Sequence, residues 1–531
     1  MNGSADTARS SHRSPDLRAL ALAVVQPGFV GLTPPDWLRR ELDAGLGGVA
    51  LFARNIDTLE QVDALTTAIH AARPGALIAV DEEAGDVTRL EHSTGSSWPG
   101  NLALGVVDDE ALTEAVAREI GVLLDSVGID LVYAPVADVN NNPANPVIGV
   151  RSFGADARLV ARHTGAWVRG IQSAGVLACA KHFPGHGDTA VDSHLGLPEV
   201  DFIAPDDAVL QPFRAAIEAG TVSIMSAHIV VRGLDDRPST LSHRVLVDLL
   251  RGQLGFGGLA LSDGMEMGGI TGAMSLQQGC VRAIAAGIDL LCIGGGLADE
   301  DTVLTVVDEL VSAVHSGRLD EARLADAASR VQWAAEERQR LRAAAEAGTE
   351  SASTGGAGAE AVRTGGVGTE SIVSPRARAA VHKPAGLDAA RRAVVVRGPV
   401  RAFDRLTAPV IVELVAPSNI AVGHETRSGI SAAAIEHWPG LTPLRADTEE
   451  AVARAVAGTN PSDRVWLVVR DPRRRAWMEA ALDRVLADHP DAVVIDTGWP
   501  GWTAPEGTTH VVTHGAARVT ADAVVSLLTE G

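Results

Sequence analysis

Eight short apolar runs punctuate residues 20–293 of this chain, and the segments between several of them have helical periodicity. The runs are Leu20–Val25, Gly48–Phe52, Ala76–Val80, Ile129–Ala134, Leu177–Ala180, Val222–Ser226, Gly258–Ser262 and Asp289–Ile293. Amphipathic stretches between them include Glu110–Ser126, Ala157–Ser173, Asp206–Ala219 and Leu276–Ala286. Runs this short and continuously apolar suit parallel strands buried on both faces. Eight of them alternating with helices predict a (β/α)8 barrel. A doubly wound open sheet shares the alternation and is the competing architecture, because strand count does not prove closure.

At 531 residues the chain is too long for one core, so two domains are expected. A stretch of Gly, Ala, Thr, Ser and Glu over 347–376, with Thr-Gly-Gly-Ala-Gly at 354 echoed by Thr-Gly-Gly-Val-Gly at 364, reads as a flexible linker. It separates a barrel domain at 16–346, preceded by a frayed polar tail at 1–15, from a second domain at 377–531. There Ala393–Val396, Val410–Leu414, Val465–Val469, Ala492–Ile495 and His510–Thr513 predict a smaller, parallel α/β layered domain resembling an αβα sandwich. Its loops offer Trp499 and Trp502 but no dense polar group, and no chemistry is assigned to it.

The net charge of −22 argues against nucleic acid or an anionic membrane surface as the main partner and favours a small molecule. Three cysteines, Cys179, Cys280 and Cys292, sit in apolar runs and read as buried hydrophobes in a reducing compartment. The polar N-terminus lacks an apolar signal core, and no run approaches a membrane span. A cytoplasmic location is the expectation.

In a barrel, working side chains stand where strands end, and polar residues collect at those points. The third run leads into Asp81-Glu82-Glu83-Ala84-Gly85-Asp86-Val87-Thr88-Arg89, and the fourth into Asp138 and a loop reaching Arg151. The sixth ends at His228, and the seventh ends at Asp263. A carboxylate held rigidly at a strand end suits a nucleophile; capping of the next helix is the structural alternative.

The fifth run opens the densest segment, Lys181-His182-Phe-Pro-Gly-His186-Gly-Asp188-Thr-Ala-Val-Asp192-Ser-His194. The chain has only two lysines, Lys181 and Lys383, so an ammonium here indicates a wanted point-charge donor. Asp192, two residues before His194, can orient that imidazole and raise its pKa, making it a general acid–base. A zinc site from His182, His186, Asp188, Asp192 and His194 is a rival, opposed by non-helical spacing and by the adjacent ammonium, and no metal is assigned. A phosphate cradle at Gly-His-Gly-Asp lacks the required residue order.

This Lys-His-Phe-Pro-Gly-His-Gly-Asp-Thr…Asp-Ser-His block resembles glycoside hydrolase family 3, in particular its NagZ-type β-N-acetylglucosaminidases. Leu-Phe-Ala-Arg-Asn at 51–55, Asp-Glu-Glu-Ala-Gly at 81–85, Ala-Pro-Val-Ala-Asp-Val at 134–139, Ile-Gly-Val-Arg-Ser-Phe at 148–153 and Ser-Asp-Gly-Met-Glu-Met at 262–267 follow in the family's order. The resemblance implies a retaining mechanism with Asp263 as nucleophile and His194, backed by Asp192, as acid–base. It also implies that Asp81, Arg89, Arg151, Lys181 and His182 hold the hydroxyls of the terminal sugar. The chain departs from the common Asp-Gln-Glu-Gly-Gly-Arg pattern at Glu82, Ala84 and Asp86, and has Gly264 where an acidic residue is frequent.

The expected activity is exo-hydrolysis of non-reducing terminal β-N-acetylglucosamine, for example from peptidoglycan fragments, with no cofactor. A phosphorylase using phosphate as co-substrate is the first alternative, since a histidine acid–base does not repel an anionic acceptor. A β-glucosidase, a catalytically dead sugar-binding protein and a metallohydrolase are the others.

Overall fold

The computed structural model describes residues 16–193, 196–201, 204, 206–295, 299–354, 384–399, 407–415, 429–459 and 464–530. The predicted tail at 1–15, His194 and most of the predicted linker lie outside the described residues. The long helix Glu321–Thr354 continues through the first residues assigned to the linker.

Eight strands form the barrel: β1 Val25–Pro27, β2 Gly48–Leu51, β3 Leu77–Val80, β4 Leu131–Val132, β5 Leu177–Phe183, β6 Ser223–Ser226, β7 Leu259–Ser262 and β8 Leu291–Ile293. Strands β2 to β7 make one parallel sheet in chain order, and β1 pairs in parallel with β8. A parallel bridge between Leu261 and Leu290 joins β7 to β8, and the Gly47 amide donates to the Leu22 carbonyl at 3.0 Å beside β1 and β2. The expected strand at Leu20–Val25 is different: Leu17–Ala23 is a helix and the strand begins at Val25. Leucine and alanine favour helix, and the Asp16 side chain caps its start by accepting from the Arg18 amide. The apolar run therefore spans two elements.

Alternation along the strands sorts two cores. Leu77, Ala79, Leu131, Tyr133, Leu177, Cys179, Leu259, Leu261 and Leu290 belong to the cluster filling the barrel, whereas Ile78, Val80, Val132, Ala178 and Ala180 belong to the cluster under the surrounding helices. Val331, Ala334 and Ala335 of the long helix join the interior cluster, so this helix plugs the end where the strands begin. The opposite end is left for polar residues.

The second domain holds β9 Val395–Arg397, β10 Val410–Leu414, β11 Leu444–Ala446, β12 Val465–Val469, β13 Val493–Asp496 and β14 Thr509–Val512, in the order β9-β14-β13-β12-β10-β11. Apolar clusters line both faces of the sheet, giving an αβα sandwich. Two features differ from expectation. Strand β9 runs antiparallel to β14, and the edge strand β11 carries no apolar run to announce it. No helix among the described residues is long and apolar enough to cross a membrane.

Candidate active site

The inward-facing rows continue past the strand ends. Asp81 follows Leu77 and Ala79 at the same parity, Lys181 follows Leu177 and Cys179, and Asp263 follows Leu259 and Leu261. Three charged groups from β3, β5 and β7 thus reach one mouth of the barrel. Asp81 and Asp263 both push the pKa of the buried Cys179 thiol upward, adding to the larger effect of burial, which takes it to about 12. All three cysteines are buried and free.

Lys181 is the hub. Its Nζ donates to Asp81 Oδ1 at 2.7 Å and lies 2.6 Å from Glu83 Oε1. Glu83 in turn receives two hydrogen bonds from Arg151, from Nε at 2.9 Å and Nη2 at 2.8 Å. Burial would raise the Glu83 carboxyl, but the charges of Arg151 and Lys181 overcome it and hold the group well below the usual range. The same carboxylate drives the Arg151 pKa upward against its own burial. Lys181 is likewise raised, its burial outweighed by Asp81 and Glu83.

Sequence reasoning selected Asp81 and passed over Glu83, although the signal was present. Residues two apart on extended backbone share a face, so Glu83 follows Asp81 toward the barrel axis. Glu82 points away. It is fully buried and accepts from the Arg89 and Leu90 amides at 2.9 and 3.0 Å, while burial pushes its carboxyl up to about 7. Arg89 stands at the edge of the network, with Nη2 3.9 Å from Asp81 Oδ2.

His182 is fixed by Asp138, another group without a predicted role: His182 Nδ1 lies 2.7 Å from Asp138 Oδ2, and Nε2 faces Arg151 Nη2 at 3.4 Å. Burial would raise Asp138, but the His182 ring holds it below the usual carboxylate range. The other Asp138 oxygen accepts from the His186 amide at 2.6 Å. His186 then braces the turn, with Nδ1 2.7 Å from Thr189 Oγ1 and Nε2 3.0 Å from Ser193 Oγ. Thr189 and Asn145 share this task, whereas Asp188 is exposed. Burial lowers the His186 pKa to about 4, with a further contribution from His182, so its ring is neutral near pH 7.

Asp263 is part-buried, and its Oδ1 accepts from the Gly264 amide at 2.8 Å. It caps no helix: the next one begins at Gly268 behind Met267. The segment after it is fastened from two sides. His228 Nε2 lies 2.9 Å from the Gly264 carbonyl, and the Gly269 amide donates to the Ser193 carbonyl at 3.2 Å. Asp192 is half-buried on the loop that Ser193 anchors, and His194 lies outside the described residues.

The site therefore combines a carboxylate at a strand end with a network of three cations, Lys181, Arg151 and Arg89, and several carboxylates, a donor and acceptor set that suits sugar hydroxyls. Comparisons with known proteins agree. The chain is 34% identical over 315 residues to beta-hexosaminidase A of Pseudoalteromonas piscicida, a match covering 54% of this chain and 52% of that one, so the chain spans about half the length of this relative. It is 35% identical over 287 residues to a beta-hexosaminidase of Nitrosomonas eutropha, covering 52% of this chain and 82% of the relative. A solved glycoside hydrolase family 3 β-N-acetylglucosaminidase from Paenibacillus sp. str. FPU-7 superposes with a TM-score of 0.80 at 29% identity, covering 97% of both chains. Residues 36–334, more than half of the sequence, match the model of the glycosyl hydrolase family 3 N-terminal domain, and the chain belongs to that family.

Proposed function

We propose that the protein is a retaining exo-β-N-acetylglucosaminidase that removes non-reducing terminal β-N-acetylglucosamine, with peptidoglycan fragments as the source. The observation that carries the reading is the shared inward register of Asp81, Lys181 and Asp263 at one barrel mouth. The Paenibacillus β-N-acetylglucosaminidase, alike over nearly all of both chains, supports the choice of sugar.

In the first step the Asp263 carboxylate attacks the anomeric carbon as the glycosidic C–O bond breaks. The His194 imidazolium, oriented by Asp192, gives its proton to the leaving oxygen. In the second step neutral His194 takes a proton from water, the water oxygen displaces Asp263, and the sugar leaves with its configuration retained. Asp81, Arg89, Arg151, Lys181 and His182 hold the sugar hydroxyls, contacts that tighten as the ring distorts.

The test is release of the aryl group from an aryl N-acetyl-β-glucosaminide by the wild type and by Asp263→Asn. The variant is expected to lose a thousandfold or more, on the order of what removal of a nucleophile costs; undiminished release sinks the mechanism. Running the wild type in phosphate buffer separates the alternative acceptor: free N-acetylglucosamine as sole product supports hydrolysis, and the sugar 1-phosphate makes the protein a phosphorylase. An aryl β-glucoside run in parallel tests the plain glucosidase.

A further inference from the structure

Among its contacts with the barrel mouth, the second domain grips one buried carboxylate, Asp86. This carboxylate is nearly inaccessible, its side chain 4% exposed, and both hydrogen bonds it accepts come from the second domain. The Ala516 amide donates to Oδ1 at 2.7 Å, and Arg470 Nη1 donates to Oδ2 in an ion pair. Arg470 follows β12, and Ala516 lies in the loop after β14, so both come from the ends of parallel strands facing the barrel. The common family pattern has an arginine where this chain has Asp86. Here the position carries a carboxylate, and Arg470 of the second domain pairs with it.

Asp86 closes a tight turn whose other end is Glu83. The Glu83 amide donates to the Val87 carbonyl at 2.9 Å, and Ala84 and Gly85 both have positive φ, 65° and 62°. A left-handed alanine costs about 1–2 kcal/mol, so the turn needs external support. A Cβ on Gly85 would lie 2.5 Å from the Gly100 Cα, so on one side the turn packs closely against backbone and position 85 takes only glycine. On the other side, His514 and Gly515 of the second domain line the small cavity bounded by Glu83, Ala84 and Arg151. Glu83 is the carboxylate that holds Arg151 and Lys181.

We propose that the second domain is a working part of the sugar site: Arg470 and the Ala516 amide fix Asp86, and through the 83–87 turn they position Glu83 and its two cations. Arg470 is thus a positioning residue. The inference rests on the proposed glycosidase reading for its substrate but not for its geometry. Other contacts hold the domains together independently, including Arg392 to Asp109 at 2.9 Å and the Ala385 amide to Glu119 at 3.0 Å. Loss of Arg470 leaves those contacts in place.

The experiment compares the full-length wild type with Arg470→Met, Asp86→Asn, the double variant and Arg470→Lys. For aryl N-acetyl-β-glucosaminide, each single change is expected to raise KM about tenfold with kcat changed less, as loss of ground-state sugar contacts does. The double variant should be no worse than the poorer single one, because both act on the same link, and Arg470→Lys should recover most of the loss. Amide hydrogen exchange of the peptide spanning the 83–87 turn is read in the same proteins and requires no turnover. Faster exchange there in Arg470→Met supports the proposal. Unchanged exchange, or additive KM effects, overturns it. Wild-type inactivity on every aryl glycoside with turn exchange still sensitive to Arg470 would overturn the activity reading alone.

Discussion

The Gly269 amide donates to the Ser193 carbonyl at 3.2 Å, tying the loop that carries Asp192 to the segment that follows Asp263. Gly269 is packed against His228, whose own Nε2 lies 2.9 Å from the Gly264 carbonyl. A Cβ at 269 would sit 2.9 Å from His228 Cβ and 3.3 Å from its carbonyl oxygen, so one of the two segments must move. Gly269→Ala is expected to lower kcat/KM by about ten- to a hundredfold, the cost of displacing reacting groups by a fraction of an ångström to one ångström. Steady-state kinetics beside an unchanged circular dichroism spectrum checks this.

Glu82 makes the protein lose stability as pH rises from about 4.5 to neutrality. Burial raises its folded-state pKa to about 7 from a usual 4.5, so the folded protein binds a proton there that the unfolded chain has already released. Its contribution is complete below the unfolded pKa and is lost as pH rises toward 7. Glu82→Gln, neutral at every pH, should be more stable than wild type at pH 8 by on the order of 2–3 kcal/mol, with the gap closing toward pH 4. Urea unfolding at the two pH values measures it; an equal gap at both refutes the assignment.

His186 acts at the other end of the scale. Its folded-state pKa of about 4 lies below the usual 6.5, so the unfolded chain binds the extra proton first as pH falls. Its contribution is complete above pH 6.5 and declines progressively toward pH 4. His186→Asn should flatten that part of the stability curve by about one proton's worth of slope. Catalytic efficiency at neutral pH should also fall, since Thr189 and Ser193 lose the ring between them. Unfolding free energies from pH 4 to 7 give the slope.

Lys181 is a buried point charge between two carboxylates. It is 2% exposed and bridges Asp81 and Glu83. Lys181→Met leaves two carboxylates facing each other and should cost about 3–5 kcal/mol of stability, as breaking a buried ion pair does. Lys181→Arg keeps the charge but brings a planar fork into a space built for a point donor, and should not restore KM. Denaturation midpoints and KM for the pair of variants decide between charge and shape.

Much of the barrel was written in the chain. Seven of the eight strand positions follow from continuous apolar runs, because a strand buried on both faces has no polar position to vary. The exception, Leu20–Val25, is an apolar run whose leucines and alanines favour helix, and the Asp16 cap fixes where that helix starts. Edge strand β11 was invisible because its side chains are largely exposed and need no apolar pattern. Asp81, Lys181 and Asp263 were legible as polar residues at strand ends, and their common direction was implicit in the two-residue period.

Tertiary structure alone decided which groups meet. Glu83 follows one strand and Asp138 and Arg151 the next, and their coupling to Lys181 and His182 on a third depends on strand order around the barrel. Asp86 received no role from the sequence because its partners, Arg470 and Ala516, are 384 and 430 residues away in the other domain. The sequence by itself determined the elements and the faces they bury, since those follow from local periodicity. The partners of each buried charge were settled only in the folded protein, where strand closure and domain docking set the ångström-scale distances on which electrostatic interactions depend.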